Sequence, residues 1–265
     1  MPSVPFDEAV PLLMEEFRWN EWFLETYWPE NAPRMELIAR LALAHSPRPE
    51  NSRLLEVGCA NGYAAALFRL LGFQVAAADA YDDRRREELF LRLGIPYTTT
   101  SLNDPEPLSQ YPDASFDCVL LGEVFEHILN NPLGLLKALN RILKPGGQLV
   151  LTTPNPSTIA NCIRVLQDNY VLWGSRDFAR MSKFDGSRII DEGGIHYCEY
   201  PMRVTCDLMR EAGFTIGLQR YVAPGCARTQ SPLKRLLKRL LMVTRLDRRR
   251  LLSPGYLVEG FKSEH

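Results

Sequence analysis

The chain has little with which to build a covalent frame. Its six cysteines (59, 118, 162, 198, 206, 226) are scattered through 265 residues, and none pairs as C-x-x-C. That spacing argues against a disulfide scaffold and a cysteine zinc site, and reads as reduced thiols on predicted core elements. Long apolar runs are missing too, so no segment reaches the length that crosses a bilayer. The opening Met1-Pro2-Ser3-Val4-Pro5-Phe6-Asp7-Glu8 has no basic stretch followed by an apolar one, which argues against a signal peptide and predicts a cytoplasmic protein. There are no internal repeats and no low-complexity linker. Composition is ordinary for a globular chain, and the length suits one α/β domain over 1–265 with appendages.

Charge is balanced in total and uneven in place. The net charge is −1, yet Leu233 to Leu252 holds eight basic residues and one acid, leaving −8 on the rest of the chain. Leu233, Leu236, Leu237, Leu240 and Leu241 recur at helical spacing, with Lys234, Arg235, Lys238 and Arg239 between them. The pattern predicts a basic amphipathic helix over 231–252. Two readings stand: a helix packed on the domain with its charges in water, or a helix resting on an anionic membrane surface at the inner face. A local anionic partner fits this asymmetry better than a protein-wide affinity for nucleic acid.

The most informative stretch runs from Leu54 to Tyr63, Leu-Leu-Glu-Val-Gly-Cys-Ala-Asn-Gly-Tyr. An apolar run meets an acid, then two glycines four residues apart, then an alanine-rich segment. This predicts a buried strand, a tight loop and a helix start, the layout of a nucleotide-type site at a parallel strand's carboxyl end. The spacing Glu56-x-Gly58-x-x-x-Gly62 is not the G-x-G-x-x-G of a dinucleotide loop. A second strand, Phe73 to Ala78, ends in Asp79, one strand–helix–strand step later. An acid there can accept both hydroxyls of a ribose, or cap the helix beginning near Asp82. Further strands follow in Phe116-Asp117-Cys118-Val119-Leu120-Leu121 and, after Leu143-Lys144-Pro145-Gly146-Gly147, in Gln148 to Thr153.

These landmarks, in this order, resemble the class I S-adenosylmethionine-dependent methyltransferases from Leu54 to Gly217 and again at the last strand. The resemblance implies an α/β, Rossmann-like seven-stranded sheet with helices on both faces and strand seven antiparallel. It implies S-adenosyl-L-methionine as cofactor, with the loop Glu56, Gly58, Cys59, Ala60 and Gly62 around its methionine part and Asp79 and Ala80 at the ribose. Leu102 and Asn103 fall in the adenine window, whose alignment is ambiguous by two or three residues, and Glu123 and Val124 follow strand four. Asn31-Ala32-Pro33-Arg34 is similar to the Asn-Pro-Leu-Arg segment of ubiquinone-biosynthesis O-methyltransferases, which implies that Arg34 grips the cofactor carboxylate; a solvated helix-start arginine is the alternative.

Around this frame lie an N-terminal helical cap over 1–45, rich in aromatics between Phe17 and Trp28, and an insert over 156–200 read as a substrate lid. Residues 6–28 read as one helix and Asn31 to Leu43 as a second, Thr158 to Leu172 as the insert's helical start, Phe214 to Val222 as strand six and Gly255 to Lys262 as the last strand. Methyl transfer from a sulfonium needs alignment and, for a hydroxyl nucleophile, a base. His127, directly after strand four, is the first candidate base, against a packed structural histidine. His196, in a His196-x-x-Glu199-Tyr200 string similar to one in glycan- and natural-product-directed relatives, is a second base or an acceptor contact. Glu123-x-x-Glu126-His127 also resembles a ubiquinone-type segment that can hold a divalent cation on Glu123, Glu126 and His127, the less favoured reading beside a metal-free site.

No Asn-Pro-Pro-Tyr or Asp-Pro-Pro-Tyr follows strand four, and no Pro-Cys nucleophile is present. Both absences argue against methylation of a flipped base. The expected activity is O-methylation of a small-molecule, glycan or lipid-linked acceptor. The competing readings are an RNA methyltransferase using the basic segment and a cofactor-binding scaffold without catalysis.

Overall fold

The computed structural model describes residues 4–167, 196–222 and 243–264. Seven strands form one sheet in the order β3-β2-β1-β4-β5-β7-β6. They are β1 (Arg53–Val57), β2 (Gln74–Asp79), β3 (Tyr97–Thr99), β4 (Phe116–Gly122), β5 (Leu143–Pro154), β6 (Phe214–Val222) and β7 (Gly255–Lys262). β1 to β5 pair in parallel, and β7 lies antiparallel between β5 and β6. The expected seven strands and the reversed last strand are therefore present. The strand order reverses between β1 and β4, and an open sheet of this kind has its crevice at the carboxyl ends on either side of that reversal.

Strand parity sorts the side chains between two cores. Leu54, Cys118, Leu120 and Val150 join the core under α3 (Tyr63–Leu70) and the N-terminal helices α1 (Phe6–Glu16) and α2 (Trp28–His45). Leu55, Val57, Val119, Leu121, Leu149 and Leu151 join the core under α5 (Pro132–Ile142) and α7 (Met202–Glu211). The central strands are buried on both faces, which is why they read as continuous apolar runs. Two more helices complete the described chain, α4 (Arg84–Leu93) and α6 (Ile159–Leu166).

The N-terminal cap departs from the two helices expected over 6–28 and Asn31 to Leu43. α1 stops at Glu16, a five-residue π-helix covers Phe23–Tyr27, and α2 already begins at Trp28. The cause is local: the Phe23 N–H donates to Asn20 Oδ1 at 3.0 Å, restarting the chain after a break, and Asn20 Nδ2 donates to the Tyr63 hydroxyl at 2.9 Å. The core of the expected lid, 168–195, and the leucine-rich part of the expected basic helix, 233–242, lie outside the described residues. Residues 244–252 form turns and one 3₁₀ turn, Leu246–Arg248, behind Arg245 at φ 56°, instead of continuing a helix.

The β1–α3 turn depends on Gly58. Its φ of 75° is left-handed, and a Cβ there would sit 2.3 Å from Val124 Cγ2. Gly58→Ala should therefore lower unfolding free energy by ~1–3 kcal/mol, from backbone strain plus the clash. Gly58→Ala with Val124→Ala should recover the part owed to the clash, read by urea unfolding. Equal stability of Gly58→Ala and the unsubstituted chain would count against the packing described here.

Candidate active site

The loop after β1 is laced to the end of β2. The Gly58 and Cys59 N–H groups both donate to the Ala78 carbonyl, at 2.8 and 3.2 Å. The Ala60 N–H donates to Asp79 Oδ2 at 2.6 Å, with Ala60 itself at a left-handed φ of 44°. Asp79 Oδ1 accepts from the Tyr81 N–H at 3.3 Å. An ionised carboxylate has about four lone-pair sites, so these two bonds leave acceptor capacity. Ala60, Asn61 and Ala80 stand exposed at the mouth, and Cys59 is buried beneath.

Glu56 points inward. Strand parity puts it on the Leu54 side of β1, under α3, where Oε2 accepts the Ala65 N–H at 2.6 Å. It satisfies a donor of the helix's first turn. Burial pushes its carboxyl up to about 8, against the pull of the Ala65 N–H and with the push of Asp79. Arg86, not singled out from sequence, is almost fully buried and donates Nη1 to the Ala60 carbonyl at 2.6 Å and Nη2 to the Tyr97 hydroxyl at 2.6 Å. Nη1 also lies 3.8 Å from Asp79 Oδ2. A signal for it existed: Arg86, Leu89, Phe90 and Leu93 share one helical face, and the other three are core residues.

Across the reversal, β4 ends in Gly122 and Glu123 turns to a left-handed φ of 56°. Arg34 Nη1 pairs with Glu123 Oε1 at 2.5 Å, and its Nη2 donates to Asn31 Oδ1 at 2.7 Å. Burial opposes the Arg34 charge, but Glu123 and Tyr27 outweigh it and hold its pKa up. A cavity of about 150 Å³ opens beside this pair, lined by Glu30, Asn31, Arg34, Glu123 and Tyr256 among others. A larger cleft of about 640 Å³ lies on the other side of the loop, between Trp19, Asn61, Asp83 and Arg86. The smaller one adjoins the polar groups that follow β4.

A 3₁₀ turn, Phe125–His127, then presents Glu126 and His127. The Glu126 carbonyl accepts the Tyr197 N–H at 2.8 Å, which seats the segment after residue 195 against this turn. The His127 and His196 rings meet edge to face with centroids 4.9 Å apart. His127 Nε2 is 3.9 Å and His196 Nε2 4.0 Å from Glu126 Oε1. His196 Nδ1 hydrogen-bonds Glu199 Oε1 at 2.7 Å, and the Thr153 hydroxyl donates to Glu126 Oε2 at 2.8 Å. Burial, then Glu123, pushes the Glu126 carboxyl up to about 8. The structure thus brings both candidate histidines together with Glu126. Glu123 stands apart from them, on Arg34.

The window read for the adenine holds a bridge between loops. The Asn103 amide bridges loops: Oδ1 accepts the Leu129 and Asn130 N–H groups at 2.8 and 3.1 Å. Its side chain is committed to backbone, and Leu102 is buried in the second core.

A parallel sheet with one reversed strand, a glycine loop after β1 and an acid at the end of β2 together define the class I methyltransferase layout. A sequence profile described as a methyltransferase domain matches residues 25–218, and the chain belongs to that family of S-adenosylmethionine-dependent methyltransferases. Ubiquinone biosynthesis O-methyltransferases of Xanthomonas oryzae pv. oryzae and Xanthomonas campestris pv. campestris are each 29% identical over 175 residues, covering 64% of this chain and 63% of theirs. The match thus spans less than two thirds of those relatives. Among solved structures, the Burkholderia thailandensis 1,6-didemethyltoxoflavin-N1-methyltransferase, bound to S-adenosylhomocysteine, shares the fold at TM-score 0.54 and 17% identity, over 99% of this chain and 92% of that one. A Mesorhizobium loti S-adenosylmethionine-dependent methyltransferase does so at TM-score 0.56 and 17% identity, over 86% of this chain and 98% of that one.

The raised Glu56 carboxyl has a signed consequence. Between about 4.5 and about 8 the folded chain keeps a proton that the unfolded chain releases, so its contribution to stability is full below that window and is lost as pH rises through it. The slope is at most ~1.4 kcal/mol per pH unit. Glu56→Gln keeps an acceptor for the Ala65 N–H and does not titrate. Its unfolding free energy should fall less steeply between pH 5 and 8 in urea titrations. An unchanged slope would show that Glu56 does not hold this proton.

Proposed function

We propose that the chain transfers the methyl group of S-adenosylmethionine to a hydroxyl oxygen of a small-molecule, glycan or lipid-linked acceptor. The observation that carries this is the pairing of His127 and His196 around buried Glu126, directly after β4 and across the sheet reversal from the glycine loop. In this reading Gly58, Cys59, Ala60 and Gly62 shape the floor under the methionine part. Ala80 and Val124 flank the adenosine, and the backbone at Leu102 and Asn103 meets the adenine edge. Asp79 takes the ribose hydroxyls on the lone pairs left by the Ala60 and Tyr81 N–H groups. Arg34 exchanges Glu123 for the cofactor carboxylate. The acceptor oxygen attacks the methyl carbon in line, the carbon–sulfur bond breaks, and the hydroxyl proton passes to His127. Products are the methyl ether, S-adenosylhomocysteine and a protonated imidazole. His196 lines the acceptor side. The ubiquinone-type relatives support oxygen as the acceptor atom.

Two variants divide these roles. Asp79→Ala should weaken S-adenosylhomocysteine binding at least tenfold by calorimetry, ~1.4 kcal/mol or more. His127→Ala should leave that affinity within about twofold and cut methyl transfer from isotopically labelled cofactor into host-cell extract by ~100-fold. Wild-type protein that binds the cofactor and labels nothing would favour the scaffold reading. Full labelling by His127→Ala would remove His127 as base.

A second observation favours a lipid-linked acceptor. α6 buries none of its residues and leaves Ile159, Ile163, Val165 and Leu166 exposed. The Ile159 N–H donates to the Leu251 carbonyl at 2.9 Å, joining α6 to a segment that exposes Val243, Leu246, Leu251 and Leu252. Arg245, Arg248, Arg249 and Arg250 stand exposed among them. Apolar side chains edged by arginines suit an anionic membrane surface. The chain should sediment with phosphatidylglycerol vesicles and not with phosphatidylcholine ones. Ile163→Ser with Arg248→Gln and Arg249→Gln should weaken this at least threefold, as should 0.5 M salt, which shortens the Debye length to about 4 Å. Equal binding to both vesicle types, or none to either at low salt, would leave a soluble acceptor.

A further inference from the structure

The Asn103 amide grips the backbone that carries His127. Its Oδ1 accepts the Leu129 N–H at 2.8 Å and the Asn130 N–H at 3.1 Å, while its Nδ2 donates to the His127 carbonyl at 3.4 Å. Asn130 Nδ2 donates back to the Asn103 carbonyl at 3.5 Å. One primary amide thus meets a carbonyl and two N–H groups of residues 127–130. This stretch joins the 3₁₀ turn Phe125–His127 to Asn131, which caps α5 at a left-handed φ of 115°. Residues 128–130 belong to no helix or strand, so their backbone groups need partners from elsewhere in the fold.

The other end of this tie is anchored independently. The Thr100 N–H donates to the Asp79 carbonyl at 2.8 Å, and the Asn103 N–H donates to Ser101 Oγ at 3.3 Å. Leu102 between them is buried. The loop after β3 is therefore held to the end of β2, and residues 127–130 are held to that loop. The two sides are unequal. Without the Asn103 amide, the loop keeps the Thr100 bond and the Leu102 contacts. The stretch after His127 loses the acceptor of two N–H groups and the donor to the His127 carbonyl.

We infer that Asn103 is the positioning residue for His127, fixing its backbone against the cofactor side of the crevice so that the imidazole stands within reach of the acceptor hydroxyl. Asn103 touches no reacting atom and acts through His127, so its kinetic effect rests on the reading of His127 as base. A base must stand within hydrogen-bond reach of the proton it takes, and a displacement of about 1 Å can cost on the order of a hundredfold in rate. Asparagine suits the task because it offers an acceptor and a donor on one planar group. Aspartate keeps the acceptor for both N–H groups and sets an oxygen against the His127 carbonyl. Alanine keeps neither.

The test is a double-mutant cycle on the full chain. It reads the initial rate of label transfer from saturating isotopically labelled S-adenosylmethionine into host-cell extract, with S-adenosylhomocysteine affinity measured by calorimetry. Asn103→Ala should lower the rate about tenfold and leave that affinity within about threefold. Asn103→Asp should return the rate to within about threefold of the unsubstituted chain. Added to His127→Ala, Asn103→Ala should cost less than about twofold more, because the side chain it acts through is already gone. A further loss of about tenfold in that background, or a full rate in Asn103→Ala alone, would overturn the role. If Asn103→Ala does not fold, Asn103→Leu, closer in volume, enters the cycle with the same expectations. Amide hydrogen exchange separates this role from the base reading. Leu129 and Asn130 amides should exchange at least about tenfold faster in Asn103→Ala, and unchanged exchange would overturn the tie. Faster exchange together with a full rate in His127→Ala would leave the tie standing and remove its kinetic role along with the base.

Discussion

Across 2.6 Å the Ala60 N–H meets the Asp79 carboxylate, and the approach of the β1 loop to the end of β2 depends on that bond. The loop reverses direction in five residues, three of them at positive φ: Gly58, Ala60 and Gly62. Two of those are glycine, which adopts the region without a Cβ clash; Ala60 is not, and its strain must be offset by neighbours. Asp79 on its N–H and Arg86 on its carbonyl clamp both sides of that one residue. In the proposed reading the same carboxylate is the group offered to a ribose, so the acid that shapes the loop would also read the ligand. Removing it would disturb both at once.

The site holds more buried acid than a neutral crevice would tolerate. Glu56 and Glu126 are each pushed up to about 8, chiefly by burial. Two arginines oppose this, Arg86 near Asp79 and Arg34 on Glu123. The two sides are answered differently. Under the loop, backbone N–H groups and Arg86 carry the load and leave little to change on binding. After β4, Arg34 is matched by a partly exposed Glu123, the partner that a ligand carboxylate would replace in the proposed reading. Buried pairs of this kind are costly to leave half made, so exchange of one carboxylate for another is a lower-cost route than simple separation.

Much of this was legible in the residues. β6 and β7 begin and end where their apolar patterns do, and the glycine spacing located the loop, because backbone constraints write themselves into residue type. Glu56 was legible in place and not in role: parity along β1 assigns it to the α3 face with Leu54, where it serves a helix N–H. Arg86 hid within Arg84-Arg85-Arg86, a run that looks like a solvated helix start until its spacing to Phe90 and Leu93 is taken into account. Asn103 bridges two loops through a contact across 26 residues that no local pattern encodes. The break after α1 turned on one asparagine side chain, beyond what helical periodicity resolves.

Long-range docking explains why the histidine pair could be proposed one residue at a time but not as a pair. His127 is placed by β4 and its 3₁₀ turn, within a few residues of the sheet. His196 reaches it where the Tyr197 N–H bonds the Glu126 carbonyl, between two stretches far apart in sequence. That bond is made by backbone and asks nothing of residue identity, so it leaves no motif. Its effect is nevertheless specific, for it fixes the register of 196–200 against 125–127 and sets both imidazoles on one buried carboxylate. His196 Nδ1 in turn meets Glu199 Oε1 at 2.7 Å. The chemistry after β4 thus rests on two contributions, a side-chain set written in the sequence and a backbone register that only the folded chain supplies.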